Sequence, residues 1–242
     1  MLAEHFSAYT QWRGNVASGI GELRKWLQLN EIGDAQSDLR LQYLLDRLRE
    51  DKLIVAFVAE FSRGKSELIN AVFFAGYGNR ILPSSAGRTT MCPTELQWKD
   101  GDKPEIRLLP IESRKTNASI TELKRYPEEW QIRPLDTSSA ESLQQALAQV
   151  GETRLASQTE AEELGFPIDA SGDHGIRPDA EGQLEIPRWR HAIIQFPHPL
   201  LEQGLVILDT PGLNAIGAEP ELTLNLLPNA HAVLFILAAD TG

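Results

Sequence analysis

The sequence of 242 residues is poor in cysteine, in basic residues and in long apolar runs, and each deficit excludes a class of protein. Its single cysteine, Cys92, excludes a disulfide within the chain and favours a reducing, cytoplasmic environment. There are 23 Lys and Arg against 34 Asp and Glu, and the resulting net charge of -11 disfavours nucleic acid as a partner. The same charge disfavours loose adhesion to an anionic membrane.

Targeting and membrane-spanning segments are also missing from the pattern. The first residues, MLAEHFSAYTQWRGN, lack a basic segment followed by an apolar core, so we expect no secretory signal. The longest apolar run, residues 232–239, is far shorter than the roughly 20 residues of a membrane-spanning helix. The sequence therefore predicts a soluble, cytoplasmic protein.

Residues 1–50 have the apolar spacing of two helices. In the first, apolar residues recur every three or four positions: Phe6, Tyr9, Trp12, Val16, Ile20, Leu23 and Leu27. The stretch NEIGD, residues 30–34, interrupts this pattern, and a second apolar face follows, formed by Leu41, Leu44, Leu45 and Leu48. Two interpretations stay open: the helices cover the following domain, or their stripes belong to a bundle that other chain completes.

Residues 51–242 alternate strand patterns with helix patterns, which predicts a three-layer α/β domain. The run over residues 52–60 does not alternate and is typical of a strand buried on both faces of a parallel sheet. Further strands are predicted at TELQW, EIRLLP, HAIIQF, GLVILD and AVLFIL, and helices at SELINAVFFA, SITELKRY, SAESLQQALAQV and EPELTLNLL. Residues 151–190 are polar, with several Gly and Pro, and predict an insertion or a mobile surface region.

The stretch AEFSRGKS, residues 59–66, matches the phosphate-loop pattern GxxxxGK[ST] except at its first position, where Ala59 replaces glycine. A turn between strand and helix directs backbone N–H groups and the positive end of the helix dipole at one point, which suits a phosphate. Lys65 would reach the β- and γ-phosphates, and the Ser66 hydroxyl would ligate Mg²⁺. The predicted nucleotide contacts of this loop are Glu60, Phe61, Ser62, Arg63, Gly64, Lys65 and Ser66.

Two further motifs complete the predicted site. In LVILDTPG, residues 205–212, Asp209 ends a strand and can hold Mg²⁺, while the Gly212 N–H can meet the γ-phosphate. The stretch LPSSAGRTTMCPTEL, residues 82–96, lies where the switch I segment of P-loop GTPases is found. Its Thr90, with Thr89 as the alternative, can place a hydroxyl on Mg²⁺ and a backbone N–H on the γ-phosphate. The predicted metal ligands are thus Ser66, Thr90 and Asp209.

In this order, FVAEFSRGKSELINAVF, LPSSAGRTTMCPTEL and VILDTPGLNAI resemble the GTPase domain of the dynamin superfamily, most closely its bacterial dynamin-like members. The resemblance implies an α/β P-loop NTPase fold, a C-terminally truncated dynamin-type domain over residues 51–242 with an insertion around residues 100–190. It also implies that residues 1–50 form a helical neck or bundle segment, which favours the second interpretation of their stripes.

The resemblance further implies a function and partners. Proteins of this family bind and hydrolyse GTP with Mg²⁺, dimerise across the nucleotide face, and remodel or tether membranes through regions outside this chain. A cytoplasmic protein that can lie at the membrane periphery is therefore expected. The guanine-reading motif Thr/Asn-Lys-x-Asp is expected after Gly242, so the preference for guanine comes from the resemblance alone.

Individual residues match the family pattern to different degrees. Ser62 matches the serine that helps hold a charge-compensating monovalent cation in dynamins. Arg63 can offer positive charge to the transition state, although a solvated surface arginine is the plainer interpretation. Phe61 stands where dynamins proper carry a glutamine that positions the catalytic water. We predict Lys65, Thr90, Ser62 and Arg63 as the catalytic residues.

Two alternatives stay open at this stage. The domain can be a GTP-binding switch with negligible turnover, which Ala59 and Phe61 favour. It can also be a P-loop ATPase of another class.

Overall fold

The computed structural model of the chain describes residues 2–49, 52–59, 64–82, 92–99, 101–116, 118–166, 178–211 and 226–237. Contacts along the chain divide it into two compact units, Met1–Leu53 and Ile54–Gly242. None of the helices in these described ranges is long and apolar enough to cross a membrane.

The first unit is a pair of helices, α1 (Leu2–Leu29) and α2 (Ala35–Arg49), in agreement with the spacing of its apolar residues. Arg24 on α1 holds Asp38 on α2 with two hydrogen bonds, from Nε to Oδ1 at 2.6 Å and from the terminal nitrogen to Oδ2 at 2.7 Å. Several large apolar side chains are exposed, among them Trp12 (57%), Trp26 (53%) and Tyr43 (59%). Two helices alone thus leave much of their apolar surface uncovered.

The second unit is built on a sheet of seven strands within the described residues. In chain order the strands are β1 (Leu53–Ala59), β2 (Thr94–Gln97), β3 (Glu105–Pro110), β4 (Gln131–Pro134), β5 (Thr153–Ala156), β6 (Leu184–Pro187), β7 (Trp189–Gln195), β8 (Leu205–Asp209) and β9 (Ala232–Ile236). The seven-stranded sheet has the order β4-β3-β7-β2-β8-β1-β9, and β5 and β6 form a separate antiparallel pair.

The large sheet is mixed, whereas the composition of its first strand predicted a parallel one. β1 pairs with β9 and β2 with β7 in parallel, but β2 runs antiparallel to β8, and β3 runs antiparallel to both β4 and β7. The non-alternating pattern of β1 arises because Ala56, Phe57, Val58 and Ala59 are all buried. Such a pattern reports burial on both faces, and it carries no information on the direction of the neighbouring strands.

Helices cover both faces of this sheet, which confirms the three-layer α/β prediction. They are α3 (Lys65–Phe73), α4 (Ile120–Leu123), α5 (Ala140–Ala148) and α7 (Pro199–Glu202), whereas α6 (Gln158–Glu163) packs against the separate pair β5 and β6. On one face, Phe57 and Ile207 share a core with Ile69 of α3 and Leu143 of α5. The opposite face carries two smaller clusters. One consists of Ala56, Val58 and Leu208. The other consists of Leu109, Ile120, Leu123, Trp130 and Ile193. Leu226 packs against both.

The composition of residues 151–190 predicted an insertion or a mobile surface region. Its described parts form β5, α6 and β6 around an apolar cluster of their own: Ile111, Ala156, Ala161, Leu164, Phe166, Leu184 and Ile186. The Arg114 guanidinium lies 4.6 Å from the centre of the Phe166 ring. The cluster could not be read from the sequence because its apolar residues are widely spaced among polar ones and meet only after the chain folds back. Within the predicted insertion, moreover, β3 and β4 belong to the main sheet.

Two other predictions concern the lengths of helices. The helix expected over SITELKRY is a single turn, Ile120–Leu123, which begins at a capping box formed by Ser119 and Glu122. The helix expected over EPELTLNLL falls largely on residues 219–225, which lie outside the described residues.

Strand β9 forms one edge of the large sheet, beside β1. Its apolar side chains are exposed on both faces: Val233 by 54%, Leu234 by 41% and Phe235 by 52%. This contrasts with β1 and β8, whose central residues are buried.

Candidate functional site

The turn that leads into α3 depends on Gly64. This residue precedes the first residue of the helix and has a φ of 85°, in the left-handed region that favours glycine. A Cβ at this position would meet nothing within 4 Å, so glycine is favoured here by the backbone conformation and not by a lack of space. The Gly64 carbonyl accepts the first bond of the helix, from Leu68 N at 2.9 Å. Lys65 and Ser66 therefore stand at the positive end of α3.

Lys65 is buried, and its ammonium group connects the beginning of α3 to the end of β8. Its Nζ donates to Oδ1 of Asp209 and to the carbonyl oxygen of Thr210. Asp209 is also buried, with 7% of its surface exposed. Two residues that are 144 positions apart in the sequence thus form one ion pair at the carboxyl end of β8.

Neighbouring strands fix the position of Asp209. The Thr210 side chain is fully buried and donates from Oγ1 to the carbonyl of Phe57 on β1 at 2.8 Å, which ties the end of β8 to the strand before the phosphate loop. On the other side of β8, Asp209 is opposite Thr94, the first residue of β2. The ends of three strands therefore meet beside the N-terminus of α3.

The predicted site residues divide into two groups. The structure brings Lys65 and Asp209 into contact, and it places Gly64 and Ser66 at the same helix terminus. Glu60, Phe61, Ser62, Arg63, Thr89, Thr90 and Gly212 lie outside the described residues. Ala59, the departure from the glycine pattern, is the last residue of β1; among the described residues, the non-glycine residue with positive φ is Glu31. Ala59 therefore occupies a conformation in which a Cβ causes no strain.

The chemistry of these groups fits Mg²⁺ and a polyphosphate. A carboxylate (Asp209) and a hydroxyl (Ser66) are hard oxygen ligands, and Mg²⁺ commonly takes one or two such ligands from the protein and the rest from phosphate and water. No group of three or more His, Cys, Asp or Glu that could hold a metal is found in the described part of the chain. Lys65 and the end of α3 supply the positive charge that phosphate requires.

Sequence reasoning missed two residues near this site. Thr210 lies inside the Asp-Thr-Pro-Gly motif, and its role in joining β8 to β1 could have been suspected from its place at the end of a buried strand. Asn70 is a polar residue on the buried face of α3, 7% exposed, between the apolar residues Ile69 and Phe73. A polar residue at such a position was a signal, but its partners could not be read from the pattern.

A buried charged cluster on β2 was also missed. Glu95 accepts two hydrogen bonds from Lys124 Nζ, at 2.6 and 2.8 Å, and His191 Nε2 lies 3.1 Å from its Oε1. Burial would raise the pKa of the Glu95 carboxyl, but the charges of Lys124 and His191 and their hydrogen bonds hold that pKa well below its ordinary value of 4.5. Glu95 is therefore ionised at neutral pH, next to the strand residue that faces Asp209.

Comparisons with known proteins found a matching family model and several similar proteins. A family model described as the dynamin family matches residues 55–242. A bacterial dynamin-like protein from Nostoc punctiforme is 37% identical over 62 residues, which are 26% of this chain and 9% of that protein. Two solved structures of an oligomerised bacterial dynamin pair, described as providing a mechanism for long-range sensing and tethering of membranes, align with TM-scores of 0.38 and 0.41. Their identities are 20% and 16%, over 80% and 95% of this chain and 23% and 28% of theirs. The chain thus spans less than a third of the length of each of these relatives.

Proposed function

Because the chain belongs to the dynamin family, we propose that it binds GTP with Mg²⁺ and hydrolyses the bond between the β- and γ-phosphates. The observation that carries this proposal is the meeting of Lys65, at the N-terminus of α3, with Asp209 at the end of β8. These are the cation and the carboxylate that a nucleoside triphosphatase requires at one point.

The residues of the chain have separable roles in this proposal. Lys65 and the N–H groups at the beginning of α3 would bind the β- and γ-phosphates and neutralise charge that develops on them. Ser66 and Asp209, together with the predicted Thr90, would hold Mg²⁺, which supplies further neutralisation of the phosphate oxygens when bound. Thr210 keeps the Asp209 backbone in place through its bond to Phe57. Arg63 and Ser62 are proposed to contribute positive charge, the latter through a monovalent cation.

Lys65→Ala tests the nucleotide site. Removing an ammonium that makes at least one charge-assisted contact to phosphate should cost about 3 kcal/mol, or more than a hundredfold in Kd for GTP. The measurement is titration calorimetry with Mg²⁺–GTP, on the protein at its natural length. Lys115→Ala is the matched control, because Lys115 pairs with Glu163 on the surface at 3.0 Å, outside the proposed site. Equal affinities of Lys65→Ala and the unmodified protein would refute the site.

Titration calorimetry also tests whether the site prefers GTP to ATP. Competition of bound GTP by ATP should require a large excess of ATP if the guanine preference of the family holds. Equal competition would favour the alternative of a P-loop ATPase.

A GTP-binding switch with negligible turnover is the second candidate, because Phe61 stands where dynamins proper carry the glutamine that positions water. We propose instead that turnover is completed in a homodimer that forms across the nucleotide face, with membrane contact through regions outside this chain. Phosphate release per molecule should then rise as the protein is concentrated. Tight GTP binding with no phosphate release at any protein concentration would support the switch.

A further inference from the structure

The side-chain amide of Asn70 holds the chain immediately before the predicted switch I segment. Its Oδ1 accepts from Ile81 N at 3.1 Å and from Leu82 N at 2.8 Å, and its Nδ2 donates to the Leu82 carbonyl at 3.1 Å. All three bonds thus go to the backbone of two consecutive residues, and Leu82 is the first residue of the segment over 82–96.

The chemistry of these contacts specifies an amide. Two N–H groups need an acceptor with two lone pairs, and the neighbouring carbonyl needs a donor from the same side chain. Aspartate supplies the acceptor but no donor at neutral pH, and alanine supplies neither. Asparagine is a poor helix former, so its occurrence inside α3 is explained by these bonds rather than by helix propensity.

Asn70 also shares a helix with the proposed phosphate-binding residues. It lies five positions after Lys65, or about 7.5 Å along the axis of α3. Because helix geometry fixes the spacing of Lys65 and Asn70, the bonds of Asn70 fix Leu82 relative to Lys65. At the other end of the segment, Thr94 lies opposite Asp209 and donates from Oγ1 to the Cys92 carbonyl at 3.0 Å.

We propose that Asn70 is a positioning residue for the predicted switch I: it fixes Leu82, where this segment starts, relative to Lys65. The inference rests on the proposed function, since it assigns Asn70 to the GTP site. It predicts an effect that depends on the γ-phosphate. GDP lacks the γ-phosphate that the predicted switch I would contact, so its binding should hardly be affected.

The test compares two ligands and two variants at natural chain length. Kd values are measured with Mg²⁺ for GDP and for a non-hydrolysable β,γ-imido analogue of GTP. Asn70→Ala should weaken binding of the analogue tenfold or more and leave the Kd for GDP within about twofold. Asn70→Asp, which keeps the two acceptors but loses the donor and buries a charge beside the Leu82 carbonyl, should weaken binding of the analogue at least as much as Asn70→Ala.

A control separates positioning from a loss of stability. Ser113→Ala removes another buried polar side chain, one whose Oγ donates to the Pro110 carbonyl at 2.6 Å, outside the proposed site. It should lower Tm without changing the ratio of the two Kd values. All measurements are made well below the Tm of the least stable variant, and Asn70→Asp serves if Asn70→Ala does not fold.

The outcomes are distinguishable from a failure of the proposed function. If the unmodified protein binds neither ligand, the GTP site itself is refuted, and the role of Asn70 falls with it. If the unmodified protein binds both, and the Asn70 variants change both affinities equally or neither, the GTP site stands and the positioning role is overturned.

Discussion

Loss of Lys124 should destabilise the protein more than neutralisation of the carboxylate that it contacts. Lys124→Ala would leave the Glu95 carboxylate, whose side chain is 9% exposed, with His191 as its remaining described partner. Glu95→Gln would instead leave a lysine whose side chain is 35% exposed and can turn to water. Both variants break the same ion pair, but each leaves a different member of it behind. Of these two residues, only Glu95 is buried.

The magnitudes follow from this asymmetry. Breaking a buried ion pair typically costs 3–5 kcal/mol because an uncompensated charge stays behind. Lys124 is partly solvated, so its charge is screened and we expect a cost below this range, about 2–3 kcal/mol for Lys124→Ala at pH 7. For Glu95→Gln we expect about 1 kcal/mol, the net value of an ordinary hydrogen bond. The double variant should be more stable than Lys124→Ala alone.

The dependence on pH has a definite sign. The folded-state pKa of Glu95 is lowered, so its contribution is fully present above the ordinary value of 4.5 and is lost as the pH falls below it. In Lys124→Ala that pKa should rise, because burial remains and the main opposing charge is gone. Protonation then removes the buried negative charge of Glu95. The difference in free energy of unfolding between the variant and the unmodified protein should therefore shrink as the pH falls from 7 to 4.5.

Urea denaturation followed by tryptophan fluorescence at both pH values measures these free energies, and Trp130 and Trp189 are buried probes. Lys115→Ala, which breaks a surface pair, should stay within about 0.5 kcal/mol of the unmodified protein. A cost for Lys124→Ala no larger than for Glu95→Gln, or the same cost at both pH values, would show the reasoning to be wrong.

Two further predictions concern the turn and the strand at the proposed site. Gly64→Ala places a Cβ at a φ of 85° and should cost about 1–2 kcal/mol of backbone strain. We therefore expect roughly tenfold weaker binding of GDP, measured by fluorescence titration. An unchanged Kd would mean that the turn does not hold the phosphate. Thr210→Val removes the hydrogen bond to the Phe57 carbonyl while keeping the shape of the side chain, and should lower the free energy of unfolding by about 1–2 kcal/mol. Thr210→Ser keeps the hydroxyl and should lower that free energy by less. If urea denaturation shows Thr210→Ser to be the less stable of the two, this role of Thr210 is contradicted.

The parts of the fold that could be predicted from the sequence carry their information locally. Gly64, Lys65 and Ser66 follow an apolar run and precede a helical one, so a strand, a turn and a helix could be placed in order. Asp209 ends a second such run. The motifs therefore predicted that Lys65 and Asp209 belong to one site, and the ion pair between them is a finding of the structure.

Other features depend on partners that are distant in the sequence. Glu95 appears in the sequence as an ordinary polar residue of a short strand, and its burial is tolerated only because Lys124 and His191 come to it from 29 and 96 positions away. Nor could the antiparallel pairing of β2 with β8 be predicted, since the direction of a neighbour leaves no trace in the composition of a strand. The apolar residues of the β5–β6 region are too sparse to form a periodic pattern.

The exposed edge strand β9 has a consequence for how self-association is measured. Val233, Leu234 and Phe235 present apolar side chains on a strand that has one neighbour among the described strands, which is the form of surface on which strands of separate molecules pair. Light scattering by residues 1–242 alone would therefore rise with concentration whether or not nucleotide is present. A dimer across the nucleotide face is recognised by the part of the association that appears with GTP and disappears in Lys65→Ala.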